Sequence, residues 1–141
     1  MFSLDPRLQN DTLHLGDLPL CRLLLSNDSQ YPWFILVPRV AGVSEVFDLS
    51  AADQQALWNE SSWLGEVVKA AFAARKVNIA TLGNVVSQLH MHVIARFAED
   101  PAWPGPVWGK LPARPYAPEE VEQLCERLKA QADGRIEWVQ A

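Results

Sequence analysis

From Gln88 to Phe97 the side chains alternate with a period of two: Leu89, Met91, Val93, Ala95 and Phe97 occupy one set of positions, and Gln88, His90, His92, Ile94 and Arg96 the other. That period belongs to an extended strand, whose successive side chains point to opposite faces of a sheet. The first set is a core face. The second presents an amide, two imidazoles and a guanidinium in a row, with neighbours ~6.6 Å apart. Two of the three histidines of the chain stand in this row. A fold for this sequence therefore needs a sheet with one face packed and part of the other reserved for polar chemistry.

The remaining sequence supplies the elements that such a sheet requires. Pro19 to Ser26 and Trp33 to Arg39 are short apolar runs separated by Asn27-Asp28-Ser29-Gln30, the pattern of a β-hairpin, with Pro38 closing the second strand. Ser50, followed three residues later by Asp53, is a capping signal for a long helix over Ala51 to Arg75. Leu57, Leu64, Val67, Val68, Ala71 and Phe72 recur at helical spacing to face the sheet, leaving Asp53, Glu60 and Lys69 for water. Two more strands are expected at Val77 to Leu82 and Val85 to Phe97, joined through Gly83-Asn84. Beyond Glu99 the stretch from Pro101 to Gly109 carries three prolines, two glycines, Trp103 and Trp108, and reads as an ordered loop. A helix from Pro118 to Ala132 follows, with Pro118 in its first turn and Glu119 and Glu120 near its positive end. Arg135 to Val139 can form a last short strand. The predicted class is α+β: an antiparallel sheet with one long helix and a C-terminal helix. Residues 1–100 form the core domain, and 101–141 a Pro/Trp-rich loop and helix packed on that same domain.

With 141 residues and 49% apolar content, one globular core is the expectation. No apolar run approaches the ~20 residues of a membrane span, and the N-terminal residues do not read as a secretory signal, which points to the cytoplasm. Cys21 and Cys125 are too few for a disulfide framework or a paired zinc site and read as packed thiols. The net charge of −5 argues against a general nucleic-acid binder.

Histidine suits the polar row because an ordinary pKa of ~6.5 leaves it mostly neutral at pH 7, with one ring nitrogen free as nucleophile, base or metal ligand. The alternation Gln88-Leu89-His90-Met91-His92-Val93 resembles the histidine-triad motif, His-x-His-x-His-x-x with apolar x, and the preceding Gly83-Asn84 resembles the Gly-plus-amide pair of that family. Asn27, Pro38-Arg39 and Asp48-Leu49-Ser50 fit the same layout, so that the likeness spans Leu20 to Arg96. The resemblance to the histidine-triad (HIT) superfamily implies a nucleotide hydrolase or nucleotidyl transferase acting at an α-phosphate, commonly a homodimer whose sheets join. His90, at the middle position, would become transiently nucleotidylated, a displacement split into two steps through a covalent intermediate. His92 would bond phosphate oxygens, Asn84 would contact the scissile phosphate and Asn27 the ribose, while Arg96 would hold a polyphosphate bidentately. The implied substrates are nucleotides or dinucleotides such as diadenosine polyphosphates or nucleoside phosphoramidates. No cofactor is required, although Mg²⁺ can accompany a polyphosphate.

Three departures bear on activity. Gln88 stands at the first histidine position and can hydrogen-bond but cannot carry charge. Val85 stands where many members have a hydroxyl that assists the leaving group, a contribution typically worth ~10²–10⁴ in rate, and Ser87 falls on the wrong face of the expected strand to replace it. Trp33-Phe34 replaces a Gly-His pair. Two alternatives stay open on sequence: a nucleotide-binding HIT protein without turnover, and a cupin-like His-x-His metalloprotein, for which His14 is the remaining histidine and no metal ligand set is assigned. For the Trp-rich loop, packing on its own core stands beside covering the mouth of the site or docking on a partner, with Lys110 and Arg114 supplying positive potential. A neutral nucleophile predicts a rate that declines below about pH 6.

Overall fold

The computed structural model describes residues 1–139. In chain order its elements are α1 (Pro6–Asp11), β1 (Thr12–Asp17), β2 (Cys21–Ser26), β3 (Trp33–Pro38), a 3₁₀ turn (Val46–Asp48), α2 (Ala51–Phe72), β4 (Lys76–Ala80), β5 (Met91–Arg96), α3 (Pro118–Gln131) and β6 (Glu137–Trp138). The strands make one open antiparallel sheet in the order β4-β5-β3-β2-β1-β6.

The long helix starts where its cap predicts, with Ser50 Oγ accepting from Asp53 N–H at 3.1 Å. It stops three residues short of the expected Arg75, because Ala73 adopts a left-handed conformation (φ 52°) and turns the chain into β4. Its apolar stripe of Leu57, Leu64, Val67, Val68 and Phe72 packs on Leu23, Leu25, Phe34, Leu36, Met91 and Val93 of the sheet. Leu124 and Leu128 of α3 enter the same core. Glu60 is not the solvated residue expected. Its carboxylate accepts from Leu20 N–H at 2.8 Å and Cys21 N–H at 3.0 Å, and so fixes the start of β2 against α2.

Helix α1 and strand β1 lie outside the elements expected from sequence. Asp5 caps α1 by accepting from Arg7 N–H, and Leu8 packs on Leu24, Ile35 and Val37, on the sheet face opposite α2. Gly16 sits at a register irregularity in β1 and lets β6 approach: a Cβ there would come within 2.6 Å of the Glu137 carbonyl.

The largest departure is at the centre of the sequence. The expected strand Val85 to Phe97 is a strand only from Met91, and the expected tight hairpin through Gly83-Asn84 is an irregular connection over residues 81–90. Alternation holds within β5, where Met91, Val93 and Ala95 join the helix-covered core while His92, Ile94 and Arg96 face the other way.

Candidate active site

The site is built at the junction of β5 and the 81–90 connection, on the sheet face not covered by α2. His90 and His92 lie with ring centroids 4.9 Å apart in a T-shaped arrangement, and both are about 95% buried. Their hydrogen bonds settle where each proton resides. The His90 ring donates from Nδ1 to the backbone carbonyl of Gln88 at 2.7 Å. A carbonyl only accepts, so a neutral His90 keeps its lone pair on Nε2. The Trp33 indole donates from Nε1 to His92 Nδ1 at 3.0 Å. An indole only donates, so the proton of neutral His92 is on Nε2. That Nε2 is buried and without a hydrogen-bond partner. The pair thus offers one unprotonated nitrogen and one N–H, on adjacent rings.

Burial pushes the His92 pKa down to about 4, and the neighbouring His90 adds to the effect. The Leu82 backbone works weakly the other way without making a hydrogen bond of good geometry. His92 is therefore a neutral donor at physiological pH.

His90 lines a cavity of about 450 Å³ together with Gly83, Asn84, Ser87, Gln88 and the Ser44-Glu45 backbone turn. The path of this connection requires glycine at 83: a Cβ there would lie 2.7 Å from the Val86 carbonyl and 3.7 Å from His90 Cε1. Because this segment is not a strand, Ser87 lies in the same cavity as His90, contrary to the face that alternation assigns it. Val85 points to solvent and is 75% exposed.

A second hollow, of about 520 Å³, lies where Trp33 and Trp108 meet Asn10, Asp11, Ser26 and Asn27. Trp108 packs edge-on against both His92 (4.9 Å between centroids) and Trp33 (5.7 Å). Trp33 and Trp108 are thus shared by the histidine pair and the second hollow. No sequence signal marks Trp33 as a partner of His92, since the contact follows from the register that sets Ile35 opposite His92 and Trp33 opposite Ile94.

The other expected site residues divide. Asn84 is exposed in the His90 cavity. Asn27 lines the second hollow, and its Oδ1 also accepts from Tyr116 N–H at 2.9 Å, so the residue fastens the segment before α3. Arg96 is not brought to either cavity. Its guanidinium donates to both Asp100 oxygens (2.9 and 3.1 Å), to Asn78 Oδ1 (2.7 Å) and to the Gly105 carbonyl (2.7 Å), with 2% of its surface exposed. Burial alone would raise the Asp100 pKa, but the Arg96 bonds and the Phe97 and Ala102 N–H groups hold it below the usual range. In place of the polyphosphate contact expected of it, Arg96 shapes the Pro/Trp loop. That loop buries Ala102 and Val107 on Ile94 and Tyr31, which sets Trp108 on His92. Gln88 lines the His90 cavity, but its side chain makes its hydrogen bonds elsewhere. Its amide turns away from the rings to the N-terminal segment, accepting from Asp5 N–H and donating to the Ser3 carbonyl, each at 2.8 Å.

The HIT domain family profile matches residues 7–99, about two thirds of the chain. The chain belongs to the HIT family. Three solved HIT proteins resemble it over nearly their whole lengths. A HIT protein of Sinorhizobium meliloti 1021 is 45% identical with a TM-score of 0.91, covering 94% of this chain and 98% of its own. One from Marinobacter aquaeolei VT8 is 48% identical with a TM-score of 0.87, covering 94% and 99%. One from Bradyrhizobium japonicum is 42% identical with a TM-score of 0.90, covering 92% and 97%. A Bartonella henselae HIT-like protein involved in cell-cycle regulation shares the fold at 14% identity and a TM-score of 0.64. No curated protein matches the chain. The HIT fold, an open sheet, also removes the cupin-like alternative. His14 lies on β1, separated from β5 by two intervening strands, and no group of three His, Cys, Asp or Glu among the described residues is placed to hold a metal. No helix among the described residues is long and apolar enough to cross a membrane. Membership of a family that includes hydrolases makes an enzyme plausible.

Proposed function

We propose that this HIT protein is a cytoplasmic nucleotide hydrolase or nucleotidyl transferase that reacts at an α-phosphorus through His90. The observation that carries the reading is the complementary pair of protonation states: a lone pair on His90 Nε2 beside an unpartnered N–H on His92 Nε2. An anhydride or phosphoramidate phosphorus needs a nucleophile and a donor to its oxygens, and these rings supply one of each.

In the first step His90 Nε2 forms a bond to phosphorus as the bond to the leaving group breaks. The electron pair departs with the leaving group, which takes a proton from solvent, either directly or relayed through the Ser87 hydroxyl, which solvent reprotonates in the same step. The His90 ring becomes cationic, and the Gln88 carbonyl, already accepting from Nδ1, stabilises that charge. His92 donates from Nε2 to a non-bridging phosphate oxygen, and Asn84 approaches the same phosphate from the cavity wall. Water then attacks the phosphorus, the P–N bond breaks, and neutral His90 is restored with release of a nucleoside monophosphate and a proton. The hollow at Trp33 and Trp108 has the size and aromatic lining to take the nucleoside, with Asn27 at the ribose. Mg²⁺ would enter only as the companion of a polyphosphate. A homodimer joined at a sheet edge belongs to this reading, and β4, hydrogen-bonded on one side to β5, is such an edge.

The test is incubation of wild type and His90→Ala with adenosine phosphoramidate and with diadenosine polyphosphates, followed for product and for a covalent adduct. Turnover and adduct should both vanish in His90→Ala. Unchanged turnover in that variant would end the covalent reading. The rival HIT protein without turnover would show nucleotide binding by wild type with neither product nor adduct.

A further inference from the structure

Gln88 occupies the motif position whose imidazole this chain lacks, and the structure gives the replacement a function of its own. Its amide oxygen and nitrogen bond the Asp5 N–H and the Ser3 carbonyl, the two backbone groups flanking Leu4 on one edge of the N-terminal segment. This is the contact a neighbouring strand would make, here made by one side chain across more than eighty residues of sequence. An amide suits it because donor and acceptor sit side by side at one end of the group. The two ring nitrogens of a histidine point apart and cannot span the same pair.

The other end of Gln88 reaches the chemistry. Its backbone carbonyl accepts the Nδ1–H of His90, and the N–H of the same peptide unit, on Leu89, donates to the Val43 carbonyl at 3.1 Å. The peptide that fixes the His90 tautomer is thus held by Val43 on one side and by the Gln88 side chain on the other. The segment at the far end is itself anchored. The Arg22 guanidinium lies 5.4 Å from the Phe2 ring centroid, and Leu8 is buried against Leu24, Ile35 and Val37.

We propose that Gln88 is a positioning residue: its side chain ties residues 3–5 to the 81–90 connection and thereby holds its own carbonyl where it keeps the His90 lone pair on Nε2. The inference rests on the reading of His90 as nucleophile, but its structural half can be measured without turnover.

The experiment uses the full chain and two ways of cutting the same tie. Gln88→Ala removes the amide. Asp5→Pro removes the N–H that Gln88 accepts from, at a residue whose φ of −54° already suits proline. Asp5→Ala is the control, since it keeps that N–H and loses only the carboxylate cap of α1. The first readout is the ¹⁵N spectrum of the His90 ring. Wild type and Asp5→Ala should show Nδ1 protonated at neutral pH, while Gln88→Ala and Asp5→Pro should show a tautomer mixture. The second readout is steady-state turnover of adenosine phosphoramidate. Both cut variants should lose about tenfold in kcat with little change in KM, a loss in keeping with displaced catalytic groups. The double variant Gln88→Ala/Asp5→Pro should be no worse than either alone, because both remove one interaction.

An unchanged His90 tautomer in both cut variants overturns the proposal, as does additive loss in the double variant. A tautomer change in a protein that turns over no substrate would uphold the positioning of the ring and fell the catalytic reading instead.

Discussion

The buried state of His92 makes a quantitative prediction about stability and pH. The folded protein holds this ring neutral down to about pH 4, whereas an unfolded chain protonates it near the ordinary ~6.5. Between those values the unfolded state binds a proton that the folded state refuses, so acidification through this window favours unfolding. Above about pH 6.5 both states are neutral and His92 contributes no slope; below about pH 4 both are charged and the loss is complete. From about pH 7 to about pH 4.5 the linkage amounts to about 2.4 kcal/mol, or roughly 6–8 °C in Tm for a chain of this size. Carboxylates such as Asp100 also titrate on this path, and the comparison must remove them. His92→Asn does so, since its amide oxygen can still accept from the Trp33 indole, it has no ionisable group, and every acid is retained. Its stability at neutral pH will be lower from lost packing, but that offset cancels when each protein is compared with itself. Urea unfolding followed by tryptophan fluorescence at several pH values should show the wild type losing about 2 kcal/mol more than His92→Asn across the window. Parallel curves, within about 0.5 kcal/mol, would refute the assignment of His92 as a ring kept neutral by burial.

Arg96→Met should destabilise the protein by about 3–5 kcal/mol, because it leaves Asp100 buried beside an uncharged chain; chemical denaturation measures the loss, and limited proteolysis should find new cleavage within residues 98–110. Gly83→Ala should lower kcat with little effect on Tm, since the added Cβ meets the Val86 carbonyl at 2.7 Å in a connection that is largely exposed. Equal activity would show that the shape of this connection does not set the geometry of His90. Glu60→Ala should cost about 1.5–3 kcal/mol in urea unfolding by removing the acceptor for two backbone N–H groups, whereas Glu66→Ala, exposed on the same helix, should fall within about 0.5 kcal/mol of wild type.

The elements legible in sequence were those with strong local signals. The Ser50 cap, the long apolar stripe of α2 and the proline-led start of α3 each required only a few neighbouring residues, and the structure places them within a few positions of expectation. Helix α1 was invisible because six residues from Pro6 to Asp11 carry one buried side chain, Leu8, and no period can be read from one residue. Within the site, His90 and Asn84 share a cavity, and His92 packs against His90. The partners of Arg96 and Gln88 are not legible for a common reason: alternation says which face a side chain takes but not which partners wait there. Arg96 meets Asp100, four residues on, because the chain folds back sharply after β5, and Gln88 meets a segment more than eighty residues away. Alternation misleads at Ser87 because β5 begins only at Met91, and the connection before it, where Gly83 admits the Val86 carbonyl, is irregular. Trp33 and Trp108 needed the pairing register and the path of the proline-rich loop, neither of which a single sequence prints.

The aromatic wall beside the histidines hangs between two fixed posts. At one end Arg96 and Asp100 grip the chain as it leaves β5, and at the other Asn27 and Asp28 hold it through Tyr116 and Arg114 before α3 begins. No strand pairing runs through the stretch between those posts. Proteins cut to this plan could acquire new ligand preferences by exchanging the suspended stretch, with His90 and His92 left in place at the start of β5 behind it.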